Sequence, residues 1–202
     1  MEKHLSPTLW RTCRVLANER RLLLIKAMID KPPMTVKSLA CTCKMKEFTC
    51  SLRLRQIHAR GFLSVTRNSK WVYYQLGADP EVEHAKPILV ALIKTLRKCN
   101  KKEDYQMVIK EVTLFTHPRR ILLARALAHT CHPRLGKLLS MCAISLPALY
   151  RHLDKLERRG LITYIGKDVT LCQPKKPLTK TLLSIAIAHV NDKKSFLTPC
   201  KV

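Results

Sequence analysis

A shift of 99 residues lays the second half of this chain on the first. Without a gap, Arg159-Gly160-Leu161-Ile162 falls on Arg60-Gly61-Phe62-Leu63, Arg119-Arg120 on Arg20-Arg21, and Leu122-Leu123 on Leu23-Leu24. Ala126, Leu138, Cys142 and Leu153 match Ala27, Leu39, Cys43 and Leu54, which makes ten identities in 44 columns. That identity is modest. Helix stops and apolar stripes recur at the same offsets, however, so the chain reads as an internal repeat. Its 202 residues then divide into two small units, 1–99 and 100–202.

The repeated design is clearest from Ser145 to Ile162. Ser145 is a candidate N-cap whose hydroxyl can accept an orphan amide, and Pro147 fits the first turn, where a missing N–H costs nothing. Leu149, Leu153 and Leu156 recur at helical spacing, with Tyr150, Arg151, His152 and Lys155 off that stripe. Arg158, Arg159 and Gly160 supply cations and a glycine stop at the helix end. The run Leu161 to Ile165 follows as a strand.

In chain order, Ser6-Pro7 is expected to open a first helix carrying Leu9, Trp10, Cys13 and Leu16, and Asn18 to cap a second over Glu19–Ile29. Pro32-Pro33 breaks the chain, Thr35-Val36 is expected as a short strand, and a third helix should reach Cys43. A fourth helix is expected over Glu47–Arg60. A hairpin should follow, from Phe62–Val65 and Trp71–Leu76, with residues 67–70 at its tip. Asp79-Pro80 is expected to start a long helix through Pro87 to Lys98. After a polar linker, Asn100–Asp104, the second copy predicts helices over Tyr105–Phe115, from His117-Pro118, over Leu135–Cys142 and from Ser145. Its hairpin is four or five residues shorter, with Gly166-Lys167 at the tip. Lys176-Pro177-Leu178 echoes Lys86-Pro87-Ile88 and opens a last helix to Val190; the final dozen residues read as a frayed tail.

Charge bounds the function. Thirty-eight Lys and Arg against 14 Asp and Glu give +24, and each half carries 19 basic and 7 acidic side chains. The excess is built into both halves, as expected of a chain that meets a polyanion. No apolar run approaches the roughly 20 residues of a membrane span, and Met1 to Arg14 lacks the apolar core of a secretory signal. Nine cysteines without paired spacing suit a reducing cytosol.

Several stretches resemble one family. LANERRLLLIKAMI, RQIHARGFL and KWVYYQL in the first half, and FTHPRRILLARAL and ISLPALYRHLDKLERRGLI in the second, are similar to the ArsR-type winged-helix repressors. The resemblance covers nearly all of both halves. It implies a fold that is mainly α with small β-hairpin wings (α+β), arranged as two tandem winged helix-turn-helix domains. It also implies a cytoplasmic, nucleoid-associated bacterial or archaeal regulator that binds double-stranded DNA and needs no cofactor. Members of that family dimerise through their first and last helices, so the resemblance implies an intramolecular pseudo-dimer or a homodimer.

In such a fold the recognition helix enters the major groove by its N-terminus. The candidate contacts in the second copy are Ser145, Leu146, Ala148, Tyr150, Arg151, His152 and Lys155. Arg151 leads, because a guanidinium can grip guanine O6 and N7 together; the competing role is an ion pair with Asp154 or Glu157. For Tyr150 the competing role is packing beside the core. In the first copy Leu52 stands where Arg151 does, and Lys46, Glu47, Thr49, Ser51, Arg53 and Arg55 remain as candidates. Glu47 suits a cytosine amino group or its own helix dipole. Arg67, Lys70 and Lys167 at the wings, with Arg20 and Arg119 at helix starts, are candidate phosphate contacts. Arg21 and Arg120 match an arginine the family carries almost throughout, with a structural role an equal prospect.

Cys41-Thr42-Cys43 suggests a metal sensor, but the register of the family's cysteine pair falls on Thr35 and Lys37. Cys43 and Cys142 therefore read as small core residues. His129, Cys131 and His132 share one loop, and Glu81 with His84 offers only part of a ligand set. No metal site is expected. Five glycines, at 61, 77, 136, 160 and 166, leave no phosphate-cradling loop, and no hydrolase or zinc-protease motif occurs, so no enzyme is expected. The rival reading is a protein- or RNA-binding scaffold, supported by Leu52 and Glu47; a third adds a thiol or metal switch to DNA binding.

Overall fold

The computed structural model describes residues 7–130, 133–166 and 168–188. It is mainly helical, with two small antiparallel sheets. The first half runs α1 (Leu9–Leu16), α2 (Glu19–Ala27), β1 (Met34–Thr35), α3 (Val36–Thr42), α4 (Glu47–His58), β2 (Leu63–Asn68), β3 (Trp71–Leu76) and α5 (Ala85–Leu96). The second runs α6 (Lys102–Thr113), α7 (Pro118–His129), α8 (Leu135–Cys142), α9 (Leu146–Glu157), β4 (Ile162–Ile165), β5 (Asp168–Leu171) and α10 (Pro177–Ala188). The order of helices and hairpin is the same in both. Even β1 has a counterpart, a single antiparallel bridge between Arg134 and Asp168. Sheet order is β1-β3-β2 in the first half and β4-β5 in the second.

Local chemistry sets the helix starts. Asn18 Oδ1 accepts the Arg21 amide at 3.2 Å, and the Thr35 hydroxyl accepts that of Ser38 at 3.3 Å, so Thr35 ends β1 and caps α3. Val36 therefore belongs to the helix. His117 Nδ1 accepts the Arg119 amide at 3.1 Å, with Pro118 in the first turn of α7. Thr8, and not Ser6, occupies the cap of α1, and Ser6 lies outside the described residues. Ser145 does hold the cap position of α9, but its hydroxyl makes no capping bond.

Four boundaries depart from the sequence pattern. The helix expected from Asp79 begins only at Ala85, because Pro87 is tolerated as the third residue, whose amide is an orphan, and would break a bond in a helix interior. The α5 and α10 starts consequently align with a two-residue slip from the Pro87/Pro177 echo. Helix α6 starts at Lys102, three residues early, since Asp104 Oδ2 accepts the amides of Asn100 and Lys101 at 2.7 and 2.9 Å. Strand β2 continues to Asn68, which puts Arg67 in the ladder opposite Val72 and leaves Ser69-Lys70 as the turn. Helix α4 stops at His58, two residues short, and Gly61 and Gly160 take positive φ (73° and 68°) to lead into each hairpin. The expected end of α10 at Val190, and the tail beyond it, lie outside the described residues.

Buried residues of both halves form one continuous cluster. Between the halves, α1 packs on α6 and α5 on α10, first helix against first and last against last, with α2 also on α6. Gln106 donates to Glu19 across this seam at 3.0 Å. Within each half a buried polar contact ties the first helix to the start of the last. Thr12 meets His84 at 3.4 Å, and the Thr179 hydroxyl donates to Glu111, which also pairs with Lys176 at 3.1 Å. Among the described residues no helix is long and apolar enough to cross a membrane.

Candidate nucleic-acid interface

Helix α9 buries Leu149, Leu153 and Leu156 and turns the opposite side outward. Ser145, Leu146, Tyr150 and Arg151 are exposed together there, and Ala148 is half-buried beside them. Tyr150 is 48% exposed, so it does not pack beside the core. Among the described residues Arg151 makes no hydrogen bond and no ion pair, and Asp154 is taken by Arg158 at 2.8 Å. Tyr164 and Ile165 of β4 add exposed surface next to this face.

Two candidates do not share it. His152 is set back against His117, with ring centroids 4.6 Å apart and a 42° tilt. Burial first, then His117 and the neighbouring arginines, push the His152 imidazole down to about 4, so it is neutral near pH 7 and is no phosphate-binding cation. Lys155 is also half-buried, and burial first, then Arg120 and Arg159, hold its ammonium below the usual lysine value. Both residues belong to the flank that faces α7.

Helix α4 presents a different surface. Cys50, Leu54 and Ile57 are buried, and Phe48 (77% exposed), Leu52 (44% exposed) and Arg55 form the outward row. Lys46 and Glu47 are exposed at the helix start, and Thr49 and Ser51 are partly covered. Arg53 is withdrawn: its guanidinium donates to Asn18 Oδ1 at 3.1 Å and its Nε is buried. It occupies the place that His152 holds in α9. Phe48 was legible in the sequence, because at 100° per residue it lies about 200° from Cys50, opposite the buried stripe.

The paired arginines divide their work. Arg21 donates to the carbonyls of Val15 and Arg14 and to Gln56, the last at 2.7 Å. Arg120 makes the matching carbonyl contacts 99 residues on, to Leu114 and Thr113, and a further one to the Thr116 hydroxyl, each at 2.8 Å. Each guanidinium thus seals the C-terminal end of the first helix of its half, where carbonyls lack partners. Arg119 is not a free phosphate contact either. It donates to the Cys142 carbonyl at 2.5 Å and caps α8. Arg20 stays exposed.

At the hairpin of the first half, Arg67 is exposed and Lys70 sits 5.7 Å over the ring of Trp71, itself exposed. Lys167 lies outside the described residues. Cys142 is fully buried and its thiol is pushed up to about 11 by burial; Cys43 is half-buried with its thiol raised for the same reason, and Cys41 is exposed. His84 is buried and engaged with Thr12, which removes it from any pairing with Glu81 on the surface. Cys131 and His132 lie outside the described residues, so the loop with His129 is not described. Among the described residues no three His, Cys, Asp or Glu side chains gather as a metal site.

The chain matches no known family model, no curated protein and no solved structure.

Proposed function

We propose that this chain is a sequence-specific double-stranded DNA-binding transcriptional regulator, repressor-like, built as two winged helix-turn-helix units in tandem. The observation that carries the reading is Arg151. It is exposed on the outward side of α9, it has no carboxylate partner among the described residues, and its neighbour Asp154 is engaged elsewhere. A planar donor held that way suits a guanine edge. The even +12 of each half supports it, since phosphate neutralisation releases counterions and supplies affinity. The like-with-like packing of α1 on α6 and α5 on α10 supports a pseudo-dimer within one chain, with α4 and α9 as unlike readers of unlike half-sites.

Selection of random duplex DNA by the native chain and by Arg151→Ala tests this. The expected result is two different motifs about one helical turn (~10 bp) or a multiple apart, one of them relaxed at one or two positions in the variant. A single perfect palindrome would sink the unlike half-sites. No enrichment, with binding that collapses as salt rises, would sink sequence-specific reading.

One observation favours a second reading, a protein- or RNA-binding scaffold: the outward row of α4 is apolar, with Phe48 and Leu52 exposed. Equal affinity for structured RNA and duplex DNA would support it.

A further inference from the structure

The two halves differ where the hairpin hands over to the last helix. In the first half the connecting segment 77–84 closes onto Gly61. A Cβ built at Gly61 would lie 3.0 Å from the Val82 side chain and 3.1 Å from that of Asp79. In the second half the connection is only residues 172–176, and nothing lies within 4 Å of the same point at Gly160. The open place is the end of a cleft of about 510 Å³. Leu114 and Leu161 line it, with Lys110, Arg159, Lys175 and Lys176 around them.

Charge changes together with shape. The first half places Asp79, Glu81 and Glu83 in its connecting segment, and the residues matching Lys110 and Arg159 are Arg11 and Arg60. The second half has no acid in its segment and puts Lys175 and Lys176 there instead. Among the described residues the cleft's single carboxylate, Glu111, already holds Lys176 at 3.1 Å and accepts from Thr179 at 2.9 Å. Arg159 spends one donor on the Lys110 carbonyl and is partly desolvated. Arg159 is half-buried, and Lys110 and Lys175 are exposed at the mouth. With Glu111 taken by Lys176, no lining carboxylate among the described residues is left for these three, which favours an anion as the missing partner.

We propose that this cleft binds a small organic phosphate that carries an apolar group, of about the size of a nucleoside diphosphate. Its volume falls within the ~300–1,000 Å³ typical of small-ligand sites. Lys110, Arg159 and Lys175, with Lys176 already held by Glu111, match more than the single charge of a carboxylate; arginine supplies a fork for phosphate oxygens and lysine a point charge. The leucines cover the uncharged part. A second cavity of about 240 Å³ shares Met107, Glu111 and Lys176 with the cleft and reaches Lys94 of α5 and Lys98 just beyond it, so the site extends toward the seam between the halves. Binding here does not require α9 to read DNA, and either proposal can fail alone.

The test uses the full chain and the fluorescence of anilinonaphthalene sulfonate, an apolar anion. One saturable site is expected, from which ADP displaces the probe roughly tenfold better than inorganic phosphate or adenosine. Lys110→Glu with Lys175→Glu should weaken the site roughly tenfold or more. Lys31→Glu with Lys37→Glu, equally exposed and remote, should leave it unchanged. Melting temperatures taken first show that both variants fold, and Lys175→Glu alone replaces the pair if it does not. No saturable site, displacement by inorganic phosphate as readily as by ADP, or equal losses in the two variants would overturn the proposal.

Discussion

Helices α4 and α9 have the same length, the same place in their halves and the same three-residue buried stripe, yet their outward surfaces have almost nothing in common. One is Phe48, Leu52 and Arg55; the other is Leu146, Tyr150 and Arg151. The flanks turned toward the preceding helices diverge as well: Arg53 bonds to Asn18 where His152 packs on His117. What stayed the same is the frame. Arg21 and Arg120 seal the same carbonyls in each half. Buried positions also changed, but to other apolar residues, as in Cys50/Leu149 and Phe62/Leu161, whereas the outward surfaces changed in chemical kind.

The frame predicts the largest effect. Arg120 is 6% exposed and its guanidinium serves three acceptors, whereas Arg21 is less covered. Arg120→Ala should cost about 3 kcal/mol in urea unfolding, because buried carbonyls lose a charged donor, and Arg21→Ala about half of that. A larger loss from Arg21→Ala would show that the first half, not the second, depends more on this contact. Reading surfaces come next. Arg151→Ala should lower affinity for the selected duplex about tenfold, within the ~1–3 kcal/mol of a bidentate base contact. Leu52→Arg, which gives α4 the missing cation, should raise duplex affinity severalfold in a filter-binding titration. If Leu52→Arg weakens binding, α4 is an apolar docking surface and the two helices do different jobs.

Much of the frame was legible before any coordinates. The repeat offset, the stripe Leu149-Leu153-Leu156, the helix Leu135–Cys142 and both hairpins follow from periodicity and glycine stops. Boundaries failed where a side chain made a choice the pattern does not encode. Asp104 captured two amides and moved a helix start, and Asp79 accepted the Glu81 amide in a turn while Pro87 deferred α5. The candidate surface was legible in part. Exposure of Arg151 and Tyr150 follows from their place off the stripe, but Arg53, His152 and Arg119 were lost to Asn18, His117 and the Cys142 carbonyl, and Lys155 was partly covered beside Arg120, which no spacing within one helix reveals. The cleft at Gly160 was invisible for the same reason: it depends on how a connection three residues shorter passes over a glycine in another part of the chain.

The flank contacts give the next effect. His152 and His117 both have imidazole values below the ordinary 6.5, His152 at about 4, with burial the leading cause. An unfolded chain takes up protons as pH falls below 6.5 while the folded chain resists until about 4. Stability is therefore whole above pH 6.5 and declines between there and pH 4. The loss from His152 should be on the order of 1 kcal/mol, discounted for its partial exposure. His152→Phe should flatten this part of the melting profile. The matching site in the first half has Arg53 on Asn18 and no histidine pair, so Arg53→Gln should leave the slope alone. An unchanged slope in His152→Phe would place the acid sensitivity elsewhere.

The smallest effect is expected at Phe48, and it separates the two helices most sharply. A phenylalanine 77% exposed on a helix of a folded protein makes few contacts to lose, so Phe48→Ser should shift stability by no more than about 0.5 kcal/mol. If α9 carries most of the sequence reading, the variant should also keep duplex affinity within about twofold, since one exposed side chain adds little to a phosphate-dominated contact. Loss of affinity confined to sites with thymine at one position would mean that the ring meets a thymine methyl, and α4 would then read the groove by apolar contact where α9 reads it by hydrogen bonds. Uniform loss over all sequences would fit neither, because Phe48 has no charge to give to phosphate. The comparison between the helices thus rests on a residue whose removal should leave the fold unmoved, which is what makes its effect on binding readable.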